Sequence, residues 1–286
     1  MLRNIIKSNY SFSRKYCGPL KAAILDWSGT TADKYVIAPA EVFVKVFDKH
    51  QVPISMKEAR LPMGLRKDLH IKEITKIPEV KKRWEQQYGR EPDDNDVANM
   101  FKDFVPMQLD CLQKYSKLIP GAAATVQTLR TKYDLKIGST TGFTEEMVDI
   151  LLSEAALQGY KPDSSVAGDT VKNGARPNPH MVYKNLDNLG IAPIQSVLKV
   201  DDTVGGVGEG LEAGCWTCAL SRYSNYMDID DLEHEKSLSK EELEYKHQIS
   251  RDILLKSGAH YVVDDITHLP KVVVHINERL SRGEKP

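Results

Sequence analysis

No charge surplus, no long apolar run and no cysteine framework marks this chain, and each absence removes a class of function. Its 286 residues carry 39 Lys and Arg against 40 Asp and Glu, a net charge of -1. Without a basic excess there is no electrostatic footprint for nucleic acid. No apolar stretch approaches the roughly 20 residues that a membrane-spanning helix needs. Four cysteines (Cys17, Cys111, Cys215, Cys218) are too few and too scattered for a disulfide scaffold. Cys215-Trp216-Thr217-Cys218 does match C-x-x-C, but it lies in an apolar, strand-like run. Redox pairs are activated at helix N-termini, so these are expected to be core cysteines. Internal repeats and low-complexity tracts are also missing. What remains is a globular chain whose length suits one domain plus an insertion.

Acidic residues are absent from the first twenty-one positions, which carry Arg3, Lys7, Arg14, Lys15 and Lys21. Leu2, Ile5, Ile6 and Tyr10 could form an apolar helical face. Residues 1–20 therefore read as a basic N-terminal extension, either a mitochondrial transit peptide or a tail on a cytoplasmic protein.

Apolar runs at 21–26, 135–139, 196–201, 215–220 and 260–264 alternate with helix-like segments. That rhythm predicts an α/β fold with a doubly wound parallel sheet. Residues 39–118 break it. Val42, Phe43, Val46 and Phe47 share one helical face, Ser55 and Glu58 form a capping box, and a further helix starts near Lys67. The interval reads as a helical cap inserted into a core of residues 21–38 and 119–286. Residues 224–256 read as a charged helical excursion without assignable chemistry. The run Gly205-Gly206-Val207-Gly208-Glu209-Gly210 misses the G-x-G-x-x-G spacing and reads as a flexible turn into a helix, not a nucleotide loop.

Chemistry gathers where the proposed strands end. Asp26 closes the first run and opens Asp26-Trp27-Ser28-Gly29-Thr30-Thr31. Gly138-Ser139-Thr140-Thr141-Gly142 closes the second, Arg176 follows a short run at 165–168, and Asp201-Asp202-Thr203 closes the run at 196–201. A doubly wound sheet brings such ends to one edge. Together they offer a carboxylate nucleophile, a hydroxyl donor, a fixed cation and a second metal-binding carboxylate, the parts needed for phosphoryl transfer. From these residues alone a phosphate-monoester phosphatase and a non-catalytic binding descendant stay open.

These four clusters resemble the motifs of the haloacid dehalogenase superfamily. The strings Asp26-Trp27-Ser28-Gly29-Thr30-Thr31, Pro62-Met63-Gly64-Leu65-Arg66-Lys67 and Glu154-Ala155-Ala156-Leu157-Gln158-Gly159-Tyr160 narrow the likeness to its phosphonoacetaldehyde hydrolase (phosphonatase) family. The resemblance implies C–P bond hydrolysis of a small phosphonate, with Asp26 as nucleophile and Lys67 as Schiff-base lysine. It assigns Mg²⁺ to the side chains of Asp26 and Asp202 and the backbone carbonyl of Ser28. Thr140 and Arg176 are to hold the phosphoryl oxygens, with Met63, Gly64 and His70 beside the lysine. A homodimer through the cap helices is implied as well. Two details agree on chemical grounds. Ser28 stands where a phosphatase would keep a general acid, and a lysine imine is the electron sink that a departing carbon requires. One departure stands out: the resemblance expects an acid four residues after Asp202, where this chain has Gly206. Asp201 stands where the family tends to have Gly, but strand alternation is expected to turn it away from Asp202.

Overall fold

The computed structural model describes residues 15–286, so most of the basic extension assigned to residues 1–20 lies outside the described residues. Each apolar run becomes a strand of one parallel sheet: β1 (Ala22–Leu25), β2 (Lys136–Thr141), β3 (Ser164–Ala167), β4 (Val197–Asp201), β5 (Trp216–Leu220) and β6 (Tyr261–Val263). Their spatial order is β3-β2-β1-β4-β5-β6. The chain thus builds outward from β1 on one side, then crosses over and builds outward on the other. The switch point lies between β1 and β4, which is where a crevice opens in such sheets.

Twelve α-helices accompany the strands among the described residues. Of the six that lie between β1 and β2, the first five are α1 (Ile37–Lys49), α2 (Met56–Arg60), α3 (Lys67–Thr75), α4 (Pro78–Tyr88) and α5 (Asp94–Tyr115). The others are α6 (Ala122–Tyr133), α7 (Glu145–Leu157), α8 (His180–Leu189), α9 (Val204–Ala213), α10 (Leu232–Ser237), α11 (Lys240–Leu255) and α12 (Leu269–Ser281). Every residue of β1 is buried, as parallel strands covered on both faces require. Ala22, Ile24 and Val197 pack with Val182 of α8 and Ala213 of α9. Ala23, Leu25, Leu198 and Val200 join the larger core with α6, α7 and α12. Cys215 and Cys218 fall into these two different clusters, three residues apart and on opposite faces, and both thiols are free.

The stretch read as a helical insertion holds α1 to α5. Phe43 of α1 lies 4.6 Å from Phe104 of α5 and 3.9 Å from His70 of α3, centroid to centroid. The box at Ser55 forms as its sequence implies, with the Ser55 hydroxyl accepting from Glu58 N–H and the Glu58 carboxylate accepting from Ser55 N–H.

The glycine run at 205–210 is a correction. It is no flexible turn but the body of α9, which starts at Val204 with Thr203 as N-cap. A Cβ on Gly210 would lie 2.8 Å from the Lys199 Cβ, and one on Gly206 would lie 1.9 Å from the Asp201 carboxylate. Glycine at these two positions, one helical turn apart, lets α9 lie directly on β4. Helix propensity is sacrificed for close approach.

Two substitutions calibrate the insertion. Phe104→Ala should cost about 3–5 kcal/mol, because it empties a fully buried aromatic site. Ser55→Ala should cost about 1 kcal/mol, because it removes a single exposed cap. Urea unfolding of both variants measures the difference; equal losses would mean that α1 and α5 are not the insertion's core.

Candidate active site

Leu25 pairs with Ser139 of β2 and Val200 of β4. One residue further along each strand, Thr140, Asp26 and Asp201 stand side by side on the face covered by α8 and α9. Pleating sends all three side chains the same way. Arg176, from the turn after β3, reaches into this row with only 2% of its surface exposed. Its Nη2 donates to Asp26 Oδ1 at 2.5 Å, to Thr140 Oγ1 at 3.0 Å and to the Thr140 carbonyl at 3.1 Å. Nη2 also lies 3.2 Å from Asp201 Oδ2, and Nε donates to Glu209 Oε2 at 3.0 Å. Lys199, buried in β4, donates to Asp201 Oδ2 at 2.7 Å. The result is a buried ion network at the sheet's C-terminal edge.

Burial alone would disfavour the Arg176 charge, but Asp201, Asp26 and Glu209 more than offset it and hold the guanidinium protonated. Burial raises the Asp26 carboxyl to about 6, with Asp201 adding to the rise and Arg176 and Lys199 pulling against it. Asp202 is pushed well above the usual carboxylate range by burial and then by the charges of Asp201 and Asp26. Four buried carboxylates (Asp26, Asp201, Asp202, Glu209) thus meet three buried basic side chains: Arg176 and Lys199 within the network, and Lys67 from the insertion.

Asp202 leaves the strand and turns back over its end. Its Oδ2 accepts from Asn225 N–H at 2.9 Å, and its Oδ1 accepts weakly from Thr30 Oγ1 at 3.4 Å. Gly29, at φ +79°, wraps closely enough that a Cβ there would sit 2.4 Å from Asp202 Oδ2. Carboxylate oxygens of Asp26, Asp201 and Asp202 come within 4.8 Å of one another, the one such acidic group among the described residues. All are hard oxygen donors, which suits a hard divalent cation. Of the three, Asp26 borders a small cavity that Ser28 also lines.

From the insertion come Met63, Gly64 and Lys67, which line the cavity opposite Asp26, Thr141, Phe143 and Arg176. Lys67 is the first residue of α3 and is 5% exposed. Its Nζ lies 4.6 Å from the Phe143 ring centroid. Burial is the main reason its ammonium is weakened to a pKa of about 8. Gly64, at φ +100°, rests against Thr203. His70, three residues beyond Lys67, does not border the cavity: it is fully buried, bonds the Ala59 carbonyl through Nε2 at 2.8 Å and stacks on Phe43. Thr140 is likewise behind the wall, its hydroxyl held between Arg176 and Glu209, whereas Thr141 lines the space. The cavity measures about 20 Å³, room for roughly one water. A larger groove of about 860 Å³ runs between α2 and α11, but none of the buried carboxylates borders it.

Several participants were not legible beforehand. Asp201 was expected to face away from Asp202, and this is overturned. Alternation holds only within a strand, and β4 ends at Asp201. Asp201 therefore follows the pleat toward Asp26, while Asp202 is free to fold over. The excursion at 224–256 also carries more than solvated charge, since Ser224 Oγ donates to the Asp202 carbonyl at 2.8 Å and Asn225 holds its carboxylate. Asn225 Nδ2 further donates to the Arg60 carbonyl of α2, tying the insertion to this loop. Lys199 and Glu209 were available signals: a lysine inside an apolar strand and a glutamate inside a glycine run each need a buried partner.

Comparison with known proteins agrees with this geometry. Residues 23–220 match the family described as Haloacid dehalogenase-like hydrolase. A phosphonoacetaldehyde hydrolase of Syntrophobacter fumaroxidans is 37% identical over 274 residues, spanning 96% of this chain and 98% of its own. Its counterpart in Pseudomonas entomophila is 41% identical over 267 residues, spanning 93% and 96%. The crystal structure of a phosphonoacetaldehyde hydrolase-like protein from Oleispira antarctica superimposes with a TM-score of 0.90 at 35% identity, covering 94% of this chain and 97% of that one. Likeness of this extent runs through insertion and core together, and the chain belongs to the phosphonoacetaldehyde hydrolase family of haloacid dehalogenase-like hydrolases.

Proposed function

We propose that this chain is an Mg²⁺-dependent phosphonoacetaldehyde hydrolase, converting phosphonoacetaldehyde and water to acetaldehyde and phosphate. One observation carries the reading: a buried lysine and a buried carboxylate, Lys67 and Asp26, border one small cavity, and Ser28 rather than an acid stands two residues after Asp26. An alkoxide leaving group would lack a proton donor there, while a carbon leaving group needs the lysine. The names of the relatives supply the substrate.

Lys67 Nζ adds to the aldehyde carbon and, with loss of water, forms an imine. The protonated imine nitrogen draws the C–P electron pair into an enamine as an Asp26 oxygen bonds to phosphorus. Protonation of the enamine carbon and attack of water on the imine release acetaldehyde and restore Lys67. A second water cleaves the aspartyl-phosphate, giving phosphate and free Asp26. Arg176 must leave Asp26 to meet the phosphoryl oxygens, and Thr140 with Glu209 guides that guanidinium. Asp26, Asp202 and the Ser28 carbonyl would hold Mg²⁺, which would supply positive charge to offset that of the phosphoryl group. Met63 and Gly64 close the pocket, and His70 packs behind Lys67. A cavity of one water's size means that the insertion must part from the core to admit substrate. We also place a homodimer contact on the cap helices; a monomer in sedimentation velocity would rule that contact out.

Borohydride reduction in the presence of phosphonoacetaldehyde should attach the carbon skeleton to Lys67, as read by peptide mass. Lys67→Ala should lower phosphate release on the order of 10³-fold or more. Labelling at another lysine, with activity retained in the variant, would sink the proposal. The pH dependence follows from the lowered pKa of about 8. Since the neutral amine is the nucleophile, the trapping rate should rise with pH and level off above that value. A rate still climbing steeply toward the ordinary lysine range would contradict the buried, weakened ammonium.

A further inference from the structure

Position 206 is where the resemblance expected an acid, and its place in the fold is already filled. A Cβ built on Gly206 would lie 1.9 Å from Asp201 Oδ2 and 2.0 Å from Asp201 Cγ. A side chain at 206 and the carboxylate at 201 therefore exclude one another, because they claim the same volume over the end of β4. We infer that Asp201 is the third carboxylate of the divalent cation site, and that Gly206 is the residue that makes room for it.

The placement of Asp201 supports this role independently of position 206. It stands one strand over from Asp26 in the same row, and it completes the acidic group with Asp26 and Asp202. Its Oδ1 is fixed by Thr203, whose N–H donates at 3.0 Å and hydroxyl at 2.8 Å. Its Oδ2 meets Lys199 at 2.7 Å and Arg176 at 3.2 Å. The Arg176 contact is the longest of the four, and it is released when Arg176 turns to an anionic substrate. A carboxylate accepts about four contacts in all, so that release opens one acceptor position beside Asp26. Glu209 Oε1, fully buried in the same network, has no hydrogen-bond partner. The departure at 206 therefore relocates a carboxylate rather than deleting one, and the cation site is complete.

This inference rests on the reading of the site as metal-dependent, and its test is cation binding rather than turnover. Mn²⁺, which suits the same carboxylate donors, is titrated into the full chain and free ion is read by electron paramagnetic resonance. Circular dichroism and thermal melting of each metal-free variant are recorded alongside. Asp201→Asn should weaken binding on the order of 10–100-fold while remaining folded. Gly206→Asp alone should fail to bind and melt earlier, since the new side chain collides with Asp201. The exchange variant D201G/G206D should recover to within about threefold of the original affinity, well above D201G alone. A folded Asp201→Asn that binds Mn²⁺ like the unaltered chain would overturn the inference, leaving Asp201 as a counter-ion of Lys199 only. An exchange variant no better than D201G would equally overturn it. Normal Mn²⁺ binding together with no phosphate release from phosphonoacetaldehyde would instead refute the proposed reaction and leave Asp201's role standing.

Discussion

Arg176 is charged and almost wholly out of water, and the arrangement of the site depends on how that charge is met. Asp26, Asp201, Glu209 and Thr140 surround it, from three adjacent strands or the helix lying on them. Removing one partner of such a buried network leaves an uncompensated charge, which is far costlier than losing a surface ion pair. The network therefore fixes where β1, β2, β4 and α9 end relative to one another. It also keeps a guanidinium directly against the carboxylate that borders the cavity.

Close packing of backbone on backbone makes this possible. Gly206 and Gly210 let α9 lie on Asp201 and Lys199, so a lysine and an aspartate can be buried beneath a helix without a gap. Gly29 brings the turn after β1 against Asp202 in the same way. On the other side the insertion seats Gly64 on Thr203, and Arg60 reaches across to Asn225 and the Ile229 carbonyl. Asn225 in turn holds Asp202. The carboxylates and the closing helices thus share one hydrogen-bonded loop, and Lys67 is carried into the cavity by the same closure.

Much of this was readable in advance where a local rule governs. Apolar runs of strand length, separated by helical periodicity, located all six strands to within a few residues, because burial on both faces leaves a continuous apolar signature. The Ser55 box followed from side chains within one turn of each other, and the start of α3 at Lys67 from the chain break at Pro62 and Gly64. Ser28 agreed with a carbon leaving group on chemical grounds, whereas Lys67 was singled out by the resemblance of the string around it. Reading failed where a residue's role depends on a partner far away in the chain. Glycines at 205–210 look like a flexible turn until the helix is seen lying on β4. Asn225 looks like loop until Asp202 is beside it.

The amino-acid sequence by itself determined the strands, the helical insertion and the family, since periodicity and local strings carry these. It also determined that carboxylates, an arginine and hydroxyls would meet at one sheet edge, because parallel strands deliver their C-terminal residues together. Only the tertiary structure decided which way each of those residues faces. Asp201 turns toward Asp26 because β4 has not yet ended there, and Asp202 escapes the pleat because it has. Thr140 lies behind the wall because Arg176 and Glu209 hold its hydroxyl, whereas Thr141 lines the cavity. Direction at a strand end is set by where pairing stops, and pairing is a property of three chain segments rather than one.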